Sequence, residues 1–206
     1  GLTLLTATTV TATTLGGTPN FSGAVTAATT LGVTGVITPT GGVAAAGGFS
    51  YAPRNCWVGD EGPTVSTDFV DSTPVTTETY CSEVFVPANC TITGVALFNG
   101  SNVTGNVTVA LANSSGTTLA AAKSASTAGS GADAMQRIPF AVAYVAVGPA
   151  NYWIQVQYDS GTARYNTHAL GNHGVVVQTA QTYGTLTNLT PATTFTANVS
   201  NVAALY

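Results

Sequence analysis

Charge is what this sequence lacks most. Four Lys plus Arg and eight Asp plus Glu in 206 residues leave the chain 6% charged, where an ordinary soluble domain carries about 25%. A formal net charge of -4 spread over so few groups offers no basic stripe for a nucleic-acid backbone. No run approaches about 18 consecutive apolar residues, so no membrane-spanning helix is expected. The usual helix formers Glu, Lys, Gln and Arg are scarce. Gly1-Leu2-Thr3 carries no basic n-region, so no signal peptide is expected there, and Gly1 in place of Met suggests a processed or partial chain.

The missing charge is replaced by Thr, Ala, Gly, Ser and Asn, with Thr at roughly one residue in six. Hydrophobic residues still make up 45% of the chain, which excludes a disordered polymer. With β-branched residues and Gly dominant, the predicted class is all-β. The three cysteines, Cys56, Cys81 and Cys90, are expected to be small buried thiols. A Cys81–Cys90 bridge would be poorly placed if the run between them ends in a hairpin. The Asn-x-Ser/Thr sequons carry little weight in a chain so rich in Asn and Thr.

Residues 1–48 contain no charged residue at all. Leu5, Val10, Leu15, Phe21, Val25, Leu31 and Ile37 recur about every five to six positions, with Thr, Ala and Gly between them. A longer echo, Val10-Thr11-Ala12-Thr13-Thr14-Leu15-Gly16, returns as Val25-Thr26-Ala27-Ala28-Thr29-Thr30-Leu31-Gly32. One apolar side chain per repeat cannot offset a backbone ordering cost of about 1–2 kcal/mol per residue within one chain. Three chains wound together would place three such side chains in each layer. The segment is therefore predicted to be an intertwined β stalk, trimeric, with the seven named residues at its core. A flexible Thr/Gly linker is the rival reading, and the regular spacing argues against it.

After the glycine pairs Gly41-Gly42 and Gly47-Gly48 the chain changes character. Residues 49–206 hold every charge, every cysteine, both tryptophans and all eight tyrosines. Alternation between turn signals predicts strands over Tyr80–Val86, Thr91–Phe98, Asn106–Ala112, Thr117–Ala122, Met135–Ala141, Tyr152–Tyr158 and Gly174–Thr179. Short strands separated by Asn/Ser/Gly turns predict an antiparallel β-sandwich, jelly-roll-like, as a head following the stalk.

The Val-Thr-Ala-rich repeats resemble the shafts of tailed-bacteriophage fibres and spikes. The stretches Thr79–Asn89, Thr93–Gly100 and Gln136-Arg137-Ile138-Pro139-Phe140 resemble a β-sandwich head of phage virion proteins. That resemblance implies a non-enzymatic structural protein on the exterior surface of a virion, a homotrimeric fibre or spike decorating capsid or tail. It implies capsid or tail proteins as partners at the N-terminal end, and carries over no catalytic residue.

The residues agree that no catalytic or metal centre, and hence no cofactor, is expected. His168 and His173 are five apart without a Cys or carboxylate beside them. Asp60-Glu61 falls in an expected turn, Asp68 and Asp71 bracket Phe69-Val70, and Asp133 and Asp159 fall in expected loops. Glu78 and Glu83 differ in parity on one strand, so no carboxylate pair faces a cleft. The strand Tyr152–Tyr158 is more informative. Its alternation puts Tyr152, Ile154, Val156 and Tyr158 toward a core and Trp153, Gln155 and Gln157 on the other face. An aromatic ring in line with two amides is the chemistry of a glycan platform, with Arg137, Arg164 and Tyr165 as candidate rim groups. The bland alternative is a Trp153 packed under a loop or against a neighbouring subunit. A receptor-binding head that grips host surface glycan is thus the alternative function.

Overall fold

Runs of Val, Ile, Thr and Tyr at period two need partners on both edges and cover on one face or both, and the chain supplies both. A computed structural model describes residues 56–58, 69–169, 174–192 and 195–206, all within the unit Ala45–Tyr206. The seven expected stalk-core residues, Leu5 to Ile37, lie outside the described residues, as do His173 and the side chains of Cys56 and Trp57. The strands are β1 (Cys56–Trp57), β2 (Phe69–Ser72), β3 (Thr79–Val86), β4 (Cys90–Phe98), β5 (Asn106–Ala112) and β6 (Thr118–Lys123). They continue as β7 (Thr127–Ala128), β8 (Met135–Ala146), β9 (Ala150–Tyr158), β10 (Tyr165–His168), β11 (Val175–Gln178) and β12 (Ala203–Leu205). Every pairing among them is antiparallel and no helix occurs among the described residues, so the fold is all-β.

One sheet runs β1-β12-β4-β8; a six-stranded sheet runs β11-β3-β9-β5-β6 with β7 also on β5; β10 and β2 form a short pair. A single apolar cluster draws on both larger sheets. Val84, Val86, Val109, Leu111, Ile154 and Val156 come from one, and Ile92, Val95, Leu97, Ile138 and Leu205 from the other. The inward parity predicted for Tyr152, Ile154, Val156 and Tyr158 holds at all four positions.

The registers define two ends. Cys56 pairs with Leu205, itself opposite Val95 in the middle of β4, and the near end lies beyond, at Cys90. The β3–β4 connection lies at this end, and so does the start of β9, where Val86 faces Ala150. At the far end stand the loops after β4, β7 and β9. The Asn99↔Tyr165 bridge and the bond from Gly100 N–H to the Arg164 carbonyl at 2.9 Å tie them together.

Strand β8 does not stop at Ala141 as expected but continues to Ala146. Its partners on β4 jump from Gly94↔Pro139 to Ile92↔Tyr144, so the run 140–143 stands opposite Thr93 alone. Such an excess is a β-bulge, which breaks period two and hides the strand's second half from a pattern search. Glu78 also departs from expectation. It precedes β3 rather than lying on it, and accepts a hydrogen bond from the Tyr80 hydroxyl at 2.8 Å.

Candidate functional site

The row Trp153, Gln155, Gln157 projects from the outer face of the six-stranded sheet, but solvent does not reach it. Trp153 is 3% exposed, Gln157 1% and Gln155 0%. The segment from Gln181 to Leu189 crosses this face as a strap, and the two amides sew it down. Gln155 Nε2 donates to the Thr187 carbonyl at 2.7 Å, while its Oε1 accepts from the Thr118 hydroxyl at 3.0 Å. Gln157 Nε2 donates to Thr79 Oγ1 at 2.7 Å and to the Thr185 carbonyl at 3.2 Å; its Oε1 accepts from Gly184 N–H at 2.9 Å. Trp153 packs with Cys81, Ala112 and Leu189 in a second small apolar cluster.

Neighbouring groups complete the seam. Lys123 Nζ donates to the Gly184 carbonyl at 2.7 Å, Thr118 N–H to Asn188 Oδ1 at 3.0 Å, and Gln178 Nε2 to the Asn188 carbonyl at 2.9 Å. Gly116 shows why only glycine fits the β5–β6 turn. Its φ is +85°, and a Cβ there would stand 2.0 Å from the Leu189 carbonyl oxygen. The placement takes Trp153, Gln155 and Gln157 out of any surface platform. The polar parity of β9 is real, yet it faces chain rather than solvent, and every amide lone pair and proton used on the strap is unavailable to a sugar. The rim groups part company too. Tyr165 is buried, Arg164 bonds to Thr73 at the far end, and Arg137 lies over the Tyr206 ring, 5.1 Å from its centroid.

The far end is the most polar part of the described chain. Asp71, Glu78, Asp133, Asp159 and Arg164 stand there, leaving only Glu83, Lys123 and Arg137 elsewhere among the described charges. Two of the carboxylates are engaged in holding loops. Asp71 accepts from Ser101 Oγ at 2.6 Å and Ser101 N–H at 3.3 Å. Asp159 accepts from Asn106 N–H and Asn106 Nδ2, both at 2.6 Å. Asn102 closes its own turn, its Oδ1 accepting from Thr104 N–H at 3.0 Å and Thr104 Oγ1 at 2.6 Å. A shallow depression at this end is lined by Asn99, Asn102, Asn106, Tyr158 and Arg164. Its chemistry is that of clamped loops, and among the described residues no carboxylate lines it. Among the described residues no group of three or more His, Cys, Asp or Glu is placed to hold a metal ion.

Beneath these loops three tyrosines meet in the core. Tyr158 and Tyr165 stack with ring centroids 5.0 Å apart, and Tyr80 tilts against Tyr165 at 5.2 Å. The Tyr158 hydroxyl donates to Asn201 Oδ1 at 3.1 Å. Burial pushes the Tyr80 phenol up to about 12, with Glu78 reinforcing the shift, and raises Tyr158 and Tyr165 further. These are neutral packing groups.

His168 is buried on β10. Cys81 is buried as expected, and burial pushes its thiol up to about 12; Cys90 departs from expectation by being exposed. Both are free thiols. Compared with known proteins, the chain matches no family model, no curated protein and no solved structure.

Proposed function

We propose that this chain is a non-enzymatic structural protein of a bacteriophage virion: a homotrimeric fibre or spike on the exterior surface, decorating capsid or tail. Residues 1–48 are its trimerising stalk, anchored through their N-terminal end to capsid or tail proteins. Residues 49–206 form its head, a jelly-roll-like β-sandwich. The observation that carries the reading is the regular apolar spacing of an uncharged segment, followed along the chain by an antiparallel β unit that holds every charge. Loops clamped by their own carboxylates and a sheet face closed by a strap suit a durable surface part better than a turnover site. A version in which the head grips host surface glycan needs a platform other than the Trp153 row, whose amides are already spent.

The decisive experiment is the mass of the full chain in solution. Sedimentation equilibrium is expected to give a trimer. Leu15→Asp and Leu31→Asp each place three carboxylates in one buried layer and are expected to yield monomers. A tight trimer in either variant would overturn the intertwined stalk. Imaging of particles with this protein labelled then separates capsid from tail.

A further inference from the structure

The strap Gln181–Leu189 is joined to the rest of the unit by other means than a strand is. Among the described residues, only its two ends pair backbone to backbone with other segments. Gln181 N–H donates to the Thr77 carbonyl and Leu189 N–H to the Gly116 carbonyl, both at 2.8 Å. Between these pins it is held through side chains, among them the amides of Gln155 and Gln157, Lys123 Nζ, and the Ser126 hydroxyl, 2.8 Å from that of Tyr183. Leu189 is its one buried residue. A segment with so little buried apolar surface and no ladder belongs at the low end of the opening free energies within a fold.

The entry to the strap carries backbone strain. Ala180, the residue before Gln181, has a φ of +55°, in the left-handed region that is costly for a residue with a Cβ. Such a conformation persists only while its surroundings hold it, and release of the strap lets Ala180 relax. The strands beneath have no such dependence. Strands β3 and β9 pair from Tyr80↔Val156 to Val86↔Ala150, and β5 and β9 from Val107↔Tyr158 to Ala112↔Trp153. Their opposite face is sealed by the main apolar cluster.

We infer that the strap is a lid hinged at Ala180, which swings off the six-stranded sheet while both large sheets stay paired. What it uncovers is the row Trp153, Gln155, Gln157 together with Cys81. Closed, it hides them: Cys81 is 0% exposed and packs with Trp153, Ala112 and Leu189, its Sγ 3.6 Å from Gln178 Oε1. Open, it presents an indole, a thiol and two amides freed from their partners on a single face. The inference does not rest on the trimer proposed above, since every group in it belongs to one head.

Thiol labelling of the full chain tests this, with N-ethylmaleimide as the probe and each cysteine read from its own peptide by mass spectrometry. Cys90 is exposed and serves as the reference for an open thiol. Well below the urea midpoint, Cys81 is expected to be protected from labelling at least about tenfold less than the β5 amides are from hydrogen exchange. Its dependence on urea is expected to be shallower, because a lid exposes little surface on opening. Lys123 lies on β6, separated from β3 by β5 and β9, and holds the strap through the Gly184 carbonyl. Lys123→Met is expected to speed Cys81 labelling at least about threefold and to leave β5 exchange unchanged. Equal protection of Cys81 and β5, with one urea slope, means that the strap leaves only when the whole unit unfolds, and overturns the lid. Fast labelling that Lys123→Met does not change means that the probe reaches Cys81 by another route, and overturns it equally.

Discussion

Strand β9 is buried on both faces, and each face is closed by different chemistry. Inward, Tyr152, Ile154, Val156 and Tyr158 meet side chains from the opposing sheet. Outward, Gln155 and Gln157 meet a strap of irregular chain through directed hydrogen bonds. The apolar face gains from any close-packed neighbour, whereas the amide face gains only from partners at defined positions, since a buried amide left unpaired costs about 1–3 kcal/mol. The difference teaches that a polar row on a strand need not mark solvent or ligand. It can equally be the thread that fastens a segment too irregular to fasten itself.

The largest effect should come from the apolar face. Ile154→Ala is expected to cost about 3–4 kcal/mol through lost burial and the cavity left behind, lowering the melting temperature of the whole unit in a calorimetric scan. On the amide face, Gln157→Ala is expected to cost about 2–3 kcal/mol, since Thr79, Gly184 and Thr185 lose a partner together. Its exchange signature should differ, with strap amides such as that of Gly184 released well before those of β5. Unchanged strap protection in that variant would erase the contrast between the faces.

Alkali should act on both sides of the sheet at once, mildly near pH 10 and more strongly above it. Cys81 behind it and Tyr80 within the core are each pushed up to about 12, from ordinary values of 9.0 and 10.0. The unfolded chain releases these protons first, so between those values and about pH 12 the folded chain holds more protons and stability falls as pH rises. Urea midpoints are expected to be level from pH 7 to pH 8.5 and to decline above pH 10. A midpoint that stays level to pH 11 would mean that neither group is as buried as described.

Long strands with clean alternation were legible from residues alone. The predicted runs over Tyr80–Val86, Thr91–Phe98 and Asn106–Ala112 overlie β3, β4 and β5, and the inward face of β9 is right at every position. The pattern fails where tertiary partners decide. Strands β1, β7 and β12 have two or three residues each, too short for any period, and Ala203-Ala204-Leu205 is extended because Leu97, Ala96 and Val95 lie opposite it. The second half of β8 is lost to its bulge. The strap over Trp153 left only a faint trace, a Thr- and Leu-containing stretch with neither helical nor strand period. What lay across the polar face of β9 therefore had to be seen in three dimensions.

That strap also has a place in time. Its fastenings come from Thr77, from the β5–β6 turn and from β9 and β11, segments that lie side by side only after their sheet has assembled. It can therefore dock only after those strands have paired. Interactions formed after the transition state leave the folding rate nearly untouched and lengthen the lifetime of the folded state. On that order of events the amides of β9 act as a latch against coming apart.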